Sequence, residues 1–300
     1  MTARTTELRR LLGGDGAIMA PGATDCFVAK LIEQAGFPAI YVTGAGVTNT
    51  LLGEPDIGLI TLPELASRAG AIARSVRVPV IADCDTGFGG VHNVRRTIRM
   101  YEQEGIAGLH IEDQVMPKRC GHFEGKAVVP IDEMLYRLQA ALDARTDPDF
   151  LIIARTDSRA VEGLDAAIRR GRAYLELGAD ALFIEAPQSL QEIERIGSEF
   201  KGKILVFNTV ERGKTPLLPA SQLTKLGFKL CIFPNAMLYL GAFAQREGLR
   251  VLKEQGTTAS LLERMMSFQD RQQLVGLAEA DAYERELVER VENQNTAALK

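Results

Sequence analysis

The chain has 300 residues, with 35 Lys+Arg against 39 Asp+Glu and a formal net charge of −4. That balance argues against a nucleic-acid partner held by phosphate neutralisation, and a composition of 46% hydrophobic and 25% charged residues argues against disorder. No apolar run approaches the ~20 residues that span a bilayer, MTARTTELRRLLGGDG at the N-terminus lacks a signal-peptide core, and the four cysteines form no CxxC pair. A cytoplasmic protein with no membrane partner is expected.

Short β-branched runs alternate with stretches of helical period. In chain order, AIMAPGA (17–23) precedes the amphipathic FVAKLIEQAG (27–36), and PAIYVTGA (38–45) precedes LPELASRAGAIARSV (62–76). VPVIADCD (78–85) leads to VRRTIRMYEQEG (94–105), AGLHIEDQ (107–114) to IDEMLYRLQAALDAR (131–145), and FLIIARTD (150–157) to LDAAIRRGRAYLELG (164–178). ADALFIEA (179–186), KILVFNTV (203–210) and FKLCIFPN (228–235) bring the runs to eight. Gly36, Gly105, Gly178 and Gly227 stand where helices should stop, and Asp132 and Asp165 fall in first turns.

Strands alternating with helices imply a parallel sheet. Eight units of about thirty residues predict an α/β fold of the (β/α)₈ TIM-barrel type. A Rossmann reading fails, because the nearest match to GxGxxG, GAGVTN (44–49), lacks the third glycine. Beyond the eighth run the pattern is helical: LYLGAFAQREGLRVLKEQGT (238–257), SLLERMMSFQ and AEADAYERELVERVE. This exceeds one barrel helix, so its surplus apolar face is expected to pack on another subunit. The division expected is a catalytic barrel over 1–257 and a C-terminal helical oligomerisation extension over 258–300.

Barrel chemistry sits at the C-terminal ends of the strands. There the sequence places Tyr41 and Thr43-Gly44-Ala45, Asp83 and Asp85, Glu112, Arg155, Glu185, Asn208 and Glu211, with Asp56 in the loop GEPDIG. Carboxylates converging on one mouth repel one another unless they share a cation, and hard oxygens without His or Cys point to Mg²⁺ or Mn²⁺. In DCD the acids are i and i+2, which on a strand share one face. With no lysine at a strand end, a Schiff-base aldolase is disfavoured. The loop MPKRCGHFEGK (116–126) carries Cys120 after two cations and before Gly121 and His122, a setting that favours an available thiolate. Two residues such as Cys120 and His122 do not make a zinc site. His92 reads as a helix start and His110 as a core histidine.

IADCDTGFG, GLHIEDQV, PKRCGH, IIARTD and NTVERGKTP together resemble the isocitrate lyase/phosphoenolpyruvate mutase superfamily. The likeness is greatest to its short branch of 2-methylisocitrate lyases, alkylmalate lyases and carboxyvinyl-carboxyphosphonate phosphorylmutases. The resemblance implies a barrel whose homotetramers swap C-terminal helices. It implies Mg²⁺ on Asp83 and Asp85, with Asp56 and Glu112 in a water-mediated shell. Thr43, Gly44 and Ala45 would bind a substrate carboxylate. Arg155, Glu185 and Asn208 would line the substrate site, Cys120, Gly121 and His122 would form a gating loop, and Arg271 matches the lyase pattern. Tyr239, in FPNAMLY (233–239), stands where 2-methylisocitrate lyases carry an Arg, which favours a dicarboxylate over a tricarboxylate.

The expected reaction is cleavage of a 2-hydroxy dicarboxylate, alkylmalate or 2-methylisocitrate-like, to a 2-oxo acid and a second carboxylate. Tyr41 and Glu112 are the candidate bases and Cys120 the proton donor. Phosphonomutase isomerisation and oxaloacetate decarboxylation are the alternatives.

Overall fold

A computed structural model describes residues 2–121 and 123–298. Eight strands, β1 (Ile18–Ala23), β2 (Ile40–Val42), β3 (Val80–Asp83), β4 (Gly108–Glu112), β5 (Leu151–Thr156), β6 (Ala181–Ile184), β7 (Ile204–Asn208) and β8 (Leu230–Phe233), close into a barrel in sequence order. All neighbours are parallel, and closure is made by β1 on β8, where Ile18 faces Leu230 and Pro21 faces Phe233. Each strand lies inside one of the apolar runs, and the TIM-type barrel is as expected.

The main crossover helices also follow the pattern: α2 (Cys26–Gln34), α4 (Leu62–Ser75), α5 (Val91–Gln103), α6 (Ile131–Ala144) and α8 (Leu164–Leu177). Short helices α3 (Gly44–Val47) and α7 (Ser158–Val161), together with α1 (Thr2–Leu12), α9 (Leu190–Glu199) and α10 (Ala220–Lys225), were not anticipated. In α9 the signals are nonetheless present. Ser189 accepts from the Glu192 N–H at 3.2 Å as N-cap, and Ile193 and Ile196 are buried one turn apart.

Side chains alternate across the strands, as a closed sheet requires. On β5, Leu151 and Ile153 join Ile81, Phe183, Val206 and Leu230 inside the barrel, while Ile152 and Ala154 join the layer under the helices. Leu8 and Leu12 of α1 belong to the inner cluster, and Arg9 bonds Asp180 just before β6 at 2.8 Å. Helix α1 therefore stops the end of the barrel where the strands begin. Burying each of those leucines contributes about 1.5–3 kcal/mol.

The chain divides into two compact units, Met1–Gly241 and Ala242–Lys300. The division falls inside α11 (Ala236–Gln255), ahead of the 257/258 boundary expected from the sequence. The second unit continues through a 3₁₀ turn at Ala259–Arg264, α12 (Phe268–Leu274) and α13 (Leu277–Ala298). Within it Arg264 pairs with Glu247 at 2.6 Å, while Leu262, Phe268 and Tyr283 stay more than three-fifths exposed, at 63%, 72% and 64%. Among the described residues no helix is long and apolar enough to cross a membrane.

Candidate active site

The alternation that fills the lower barrel with apolar side chains delivers polar ones to its upper layer. Thr43 past β2, Asp83 on β3, Glu112 on β4, Arg155 on β5, Glu185 past β6 and Asn208 on β7 occupy successive strand ends. Tyr41 and His110 stand two residues earlier on their own strands. With the loops above, most of these residues line a cavity of about 210 Å³, whose wall includes Asp56, Lys118, Cys120, Gly121 and Tyr239.

Arg155 ties this layer together. Its Nε lies 2.9 Å from Asp157 Oδ2, Nη1 3.3 Å from Glu112 Oε2 and Nη2 3.9 Å from Glu185 Oε2. Burial works against the guanidinium charge, and Asp157, Glu112 and Glu185 outweigh it. Asn208 Nδ2 donates to both Glu185 oxygens at 3.2 Å. Burial pushes the Glu112 carboxyl well up. Asp83 behaves in the opposite way: burial raises it, but His110, Lys118 and Arg155 outweigh that and hold it down.

Asp85 corrects the strand-face argument. It follows the end of β3 with a left-handed φ of 48°, so strand alternation does not place it. Its N–H donates instead to Asp83 Oδ1 at 2.9 Å. Burial, then the Asp83 and Asp56 charges, push its carboxyl up to about 7 despite Lys118.

The mouth also holds a lysine, which the inspection of strand ends missed. Lys118, from the loop between β4 and α6, is 3% exposed, with Nζ 2.5 Å from Asp56 Oδ1 and 2.7 Å from Asp85 Oδ1. Burial works against its charge, but Asp85 and Asp56 hold it protonated. An ammonium fixed in that way is not a nucleophile, so a Schiff-base role is excluded on this ground. Neither Asp85 oxygen nor Glu112 Oε1 receives a directed hydrogen bond, though all three are buried. Among the described residues no three His, Cys, Asp or Glu side chains form a ready-made cation cage. The cation among the acids is the Lys118 ammonium.

The same loop places Cys120 at the cavity wall, half-buried, its N–H donating to Asp56 O at 3.2 Å. A Cβ on Gly121 would stand 2.6 Å from Glu185 Oε1 and 2.7 Å from Arg155 Nη2. Only glycine lets the loop backbone approach so closely. Lys126 fastens the loop, donating to Gly121 O and to Asp157 Oδ1, the latter at 2.8 Å. His122 lies outside the described residues.

On the opposite wall Thr43 caps α3 by accepting the Gly46 N–H at 3.1 Å, and Ala45 faces the cavity. Gly44 packs on Asp83, whose Oδ2 would be 2.6 Å from an added Cβ. Asn235, Glu211 and Arg212 also line the mouth. Arg271 lies in α12 of the second unit, its guanidinium 4.8 Å over the Phe268 ring. The histidine assigned to the core is more than filler. His110 Nε2 is 2.6 Å from the Tyr41 hydroxyl and Nδ1 is 3.7 Å from Asp83 Oδ1. Burial lowers its pKa to about 4 and pushes the Tyr41 phenol well up, so both are neutral at pH 7.

Comparisons with known proteins agree with this geometry. The family model described as phosphoenolpyruvate phosphomutase matches residues 8–251. The chain is 45% identical over 271 residues to the 2,3-dimethylmalate lyase of Eubacterium barkeri, covering 90% of this chain and 93% of that one. It is 41% identical over 285 residues to the 2-methylisocitrate lyase of Aeropyrum pernix, covering 95% and 91%. Among solved structures, oxaloacetate acetylhydrolase in complex with 3,3-difluorooxalacetate superposes with a TM-score of 0.91 at 34% identity, covering 95% of this chain and 97% of that one. The chain belongs to the isocitrate lyase/phosphoenolpyruvate mutase superfamily. It is an enzyme, and these relatives place it with the carbon–carbon lyases.

Proposed function

We propose that the protein is a Mg²⁺-dependent lyase that cleaves a 2-hydroxy dicarboxylate of the alkylmalate type to a 2-oxo acid and a second carboxylate. The observation that carries this reading is the strand-end layer of buried acids around Arg155, closed over by the loop bearing Cys120. The donor set suits a hard divalent ion: Asp85 Oδ2 and Glu112 Oε1 are buried oxygens without hydrogen-bond donors, and an ammonium already stands between Asp56 and Asp85. Asp83 and Asp85 would hold Mg²⁺, with Asp56 and Glu112 in its outer shell, and Mn²⁺ would serve in its place. When bound, the ion makes the hydroxyl of a chelated 2-hydroxycarboxylate more acidic.

The protein's own groups do the rest. Glu112, whose carboxyl burial pushes well up, is a stronger base than a solvated carboxylate and suits the removal of the hydroxyl proton. Tyr41, with its phenol pushed up, stays protonated; its proton points to His110 and its oxygen is left as a hydrogen-bond acceptor beside that base. As the C2–C3 bond breaks, its electron pair passes to the departing carboxylate, whose charge Arg155 stabilises. Cys120 returns a proton to that carbon while the loop, with Gly121 against Glu185, excludes water. Thr43, Gly44, Ala45 and Asn208 line the substrate, and His122 belongs to the loop. Tyr239 at the cavity wall brings no positive charge for a third carboxylate, which favours a dicarboxylate.

The exposed apolar side chains of residues 258–300 support a homotetramer formed by exchange of C-terminal helices, and four free thiols support a cytoplasmic location. Malate, 2- and 3-alkylmalates, 2-methylisocitrate and oxaloacetate, assayed for 2-oxo acid release with and without Mg²⁺, test the reading. Turnover of none of the hydroxy acids refutes it. The likeness to oxaloacetate acetylhydrolase favours one second reading, carbon–carbon cleavage of oxaloacetate, which the same panel separates.

A further inference from the structure

Most of the positive charge at the mouth is already matched. Lys118 is held by Asp56 and Asp85, and Arg155 by Asp157, Glu112 and Glu185. Among the described residues that line the cavity, the guanidinium groups of Arg119 and Arg212 have no intramolecular partner. Arg212 has a second distinguishing feature. It sits in the turn after β7, closed by the Gly213 N–H on Val210 O at 3.0 Å, and its φ is 59°. A left-handed backbone is unfavourable for a residue with a Cβ, and such strain concentrates where the direction of a side chain is used. Glu211 beside it also faces the cavity, yet no ion pair joins the two neighbours.

We infer that Arg212 is a specificity-determining residue whose guanidinium receives the substrate carboxylate remote from the hydroxyl-bearing carbon. This rests on the hydroxy-dicarboxylate reading above. One end of such a substrate is directed at the acids and the cation they share. The other end is a second full negative charge; Arg155, which meets the charge that develops there during cleavage, is already matched by three carboxylates, so the charge present before cleavage needs a further, unmatched donor. A planar guanidinium at the rim meets that requirement with two parallel hydrogen bonds. A lysine or amide there would lose the forked geometry.

The test uses full-length protein with Mg²⁺, a 3-alkylmalate, and the same molecule with its remote carboxylate converted to the amide. Arg212→Gly relieves the left-handed backbone, so its melting temperature should equal or exceed that of the wild type. Its KM and dissociation constant for the diacid should rise about tenfold to a hundredfold. Arg212→Lys should recover part of the loss. The amide should bind the wild type as weakly as the diacid binds Arg212→Gly, and should lose nothing further in the variant. Equal affinity of wild type and Arg212→Gly for the diacid overturns the assignment of Arg212 and leaves the lyase reading standing. A fall in melting temperature that accounts for the lost affinity also overturns it, since the residue would then be structural. Failure of the wild type to bind or turn over any hydroxy diacid overturns both.

Discussion

The hydroxyl of Tyr41 and Nε2 of His110 stand 2.6 Å apart inside the barrel, their rings stacked with 15° between planes. Because burial keeps the imidazole neutral, one nitrogen carries a proton and the other accepts. The tautomer that serves both contacts has Nε2 accepting from Tyr41 and the Nδ1 proton facing Asp83. Tyr41→Phe would leave a buried acceptor unpaired, at a cost of about 1–3 kcal/mol, and remove the hydroxyl oxygen from the substrate side. Turnover at saturating substrate is expected to drop about a hundredfold or more. A kcat within threefold of wild type would mean that the pair is only packing.

Asp85 has no apolar structural duty, since it follows the end of β3 and, among the described residues, its carboxylate pairs with Lys118 alone. Asp85→Asn should abolish the dependence of activity on Mg²⁺ together with the activity itself. It should leave melting in EDTA unchanged or slightly higher, because one acid is removed from a crowded set. Activity of the variant that persists in EDTA at saturating substrate would refute the metal assignment.

Cys120→Ser keeps the side-chain size but supplies a far weaker acid. A loss of about two to four orders of magnitude in kcat is expected, the span of a general acid–base group, with Mg²⁺ affinity and product-analogue affinity little changed. If turnover stays near normal, protonation comes from solvent, and cleavage of oxaloacetate becomes the better reading.

Asp113 is fully buried and accepts from Thr156 Oγ1 at 2.6 Å, the Asp157 N–H at 2.9 Å and the Tyr174 hydroxyl at 2.9 Å, with Arg170 Nη1 at 3.4 Å. Asp113→Ala strands three buried donors and leaves Arg170 with Glu162 as its one carboxylate, so the urea midpoint should fall by the equivalent of about 3–5 kcal/mol. A loss below about 1 kcal/mol would show that water replaces the carboxylate.

Eight strands were legible because a sheet buried on both faces is written as short continuous apolar runs between helical periods. The acids at their ends were legible for the same reason, since a strand that ends in the mouth must carry its polar residue there. Lys118 was not, because nothing in the local pattern of MPKRCGH distinguishes a lysine that turns inward from one in solvent. Its burial is decided by Asp56, 62 positions away in sequence. His110 looks like any histidine in a strand until Tyr41 on another strand is placed opposite it. Asp85 obeyed the i, i+2 rule on paper and breaks it in space, because the strand ends at Asp83, two residues before it. The helix α1 escaped notice for want of a strong apolar period, although two leucines are enough to stop the barrel.

Asp157 is shared. Lys126 holds its Oδ1 at 2.8 Å, while Arg155 grips Oδ2 at 2.9 Å and reaches Oδ1 at 3.3 Å. That carboxylate is a rivet through two parts of the site: replacing it would loosen, in one substitution, the loop backbone that Lys126 fastens at Gly121 and the aim of the Arg155 guanidinium.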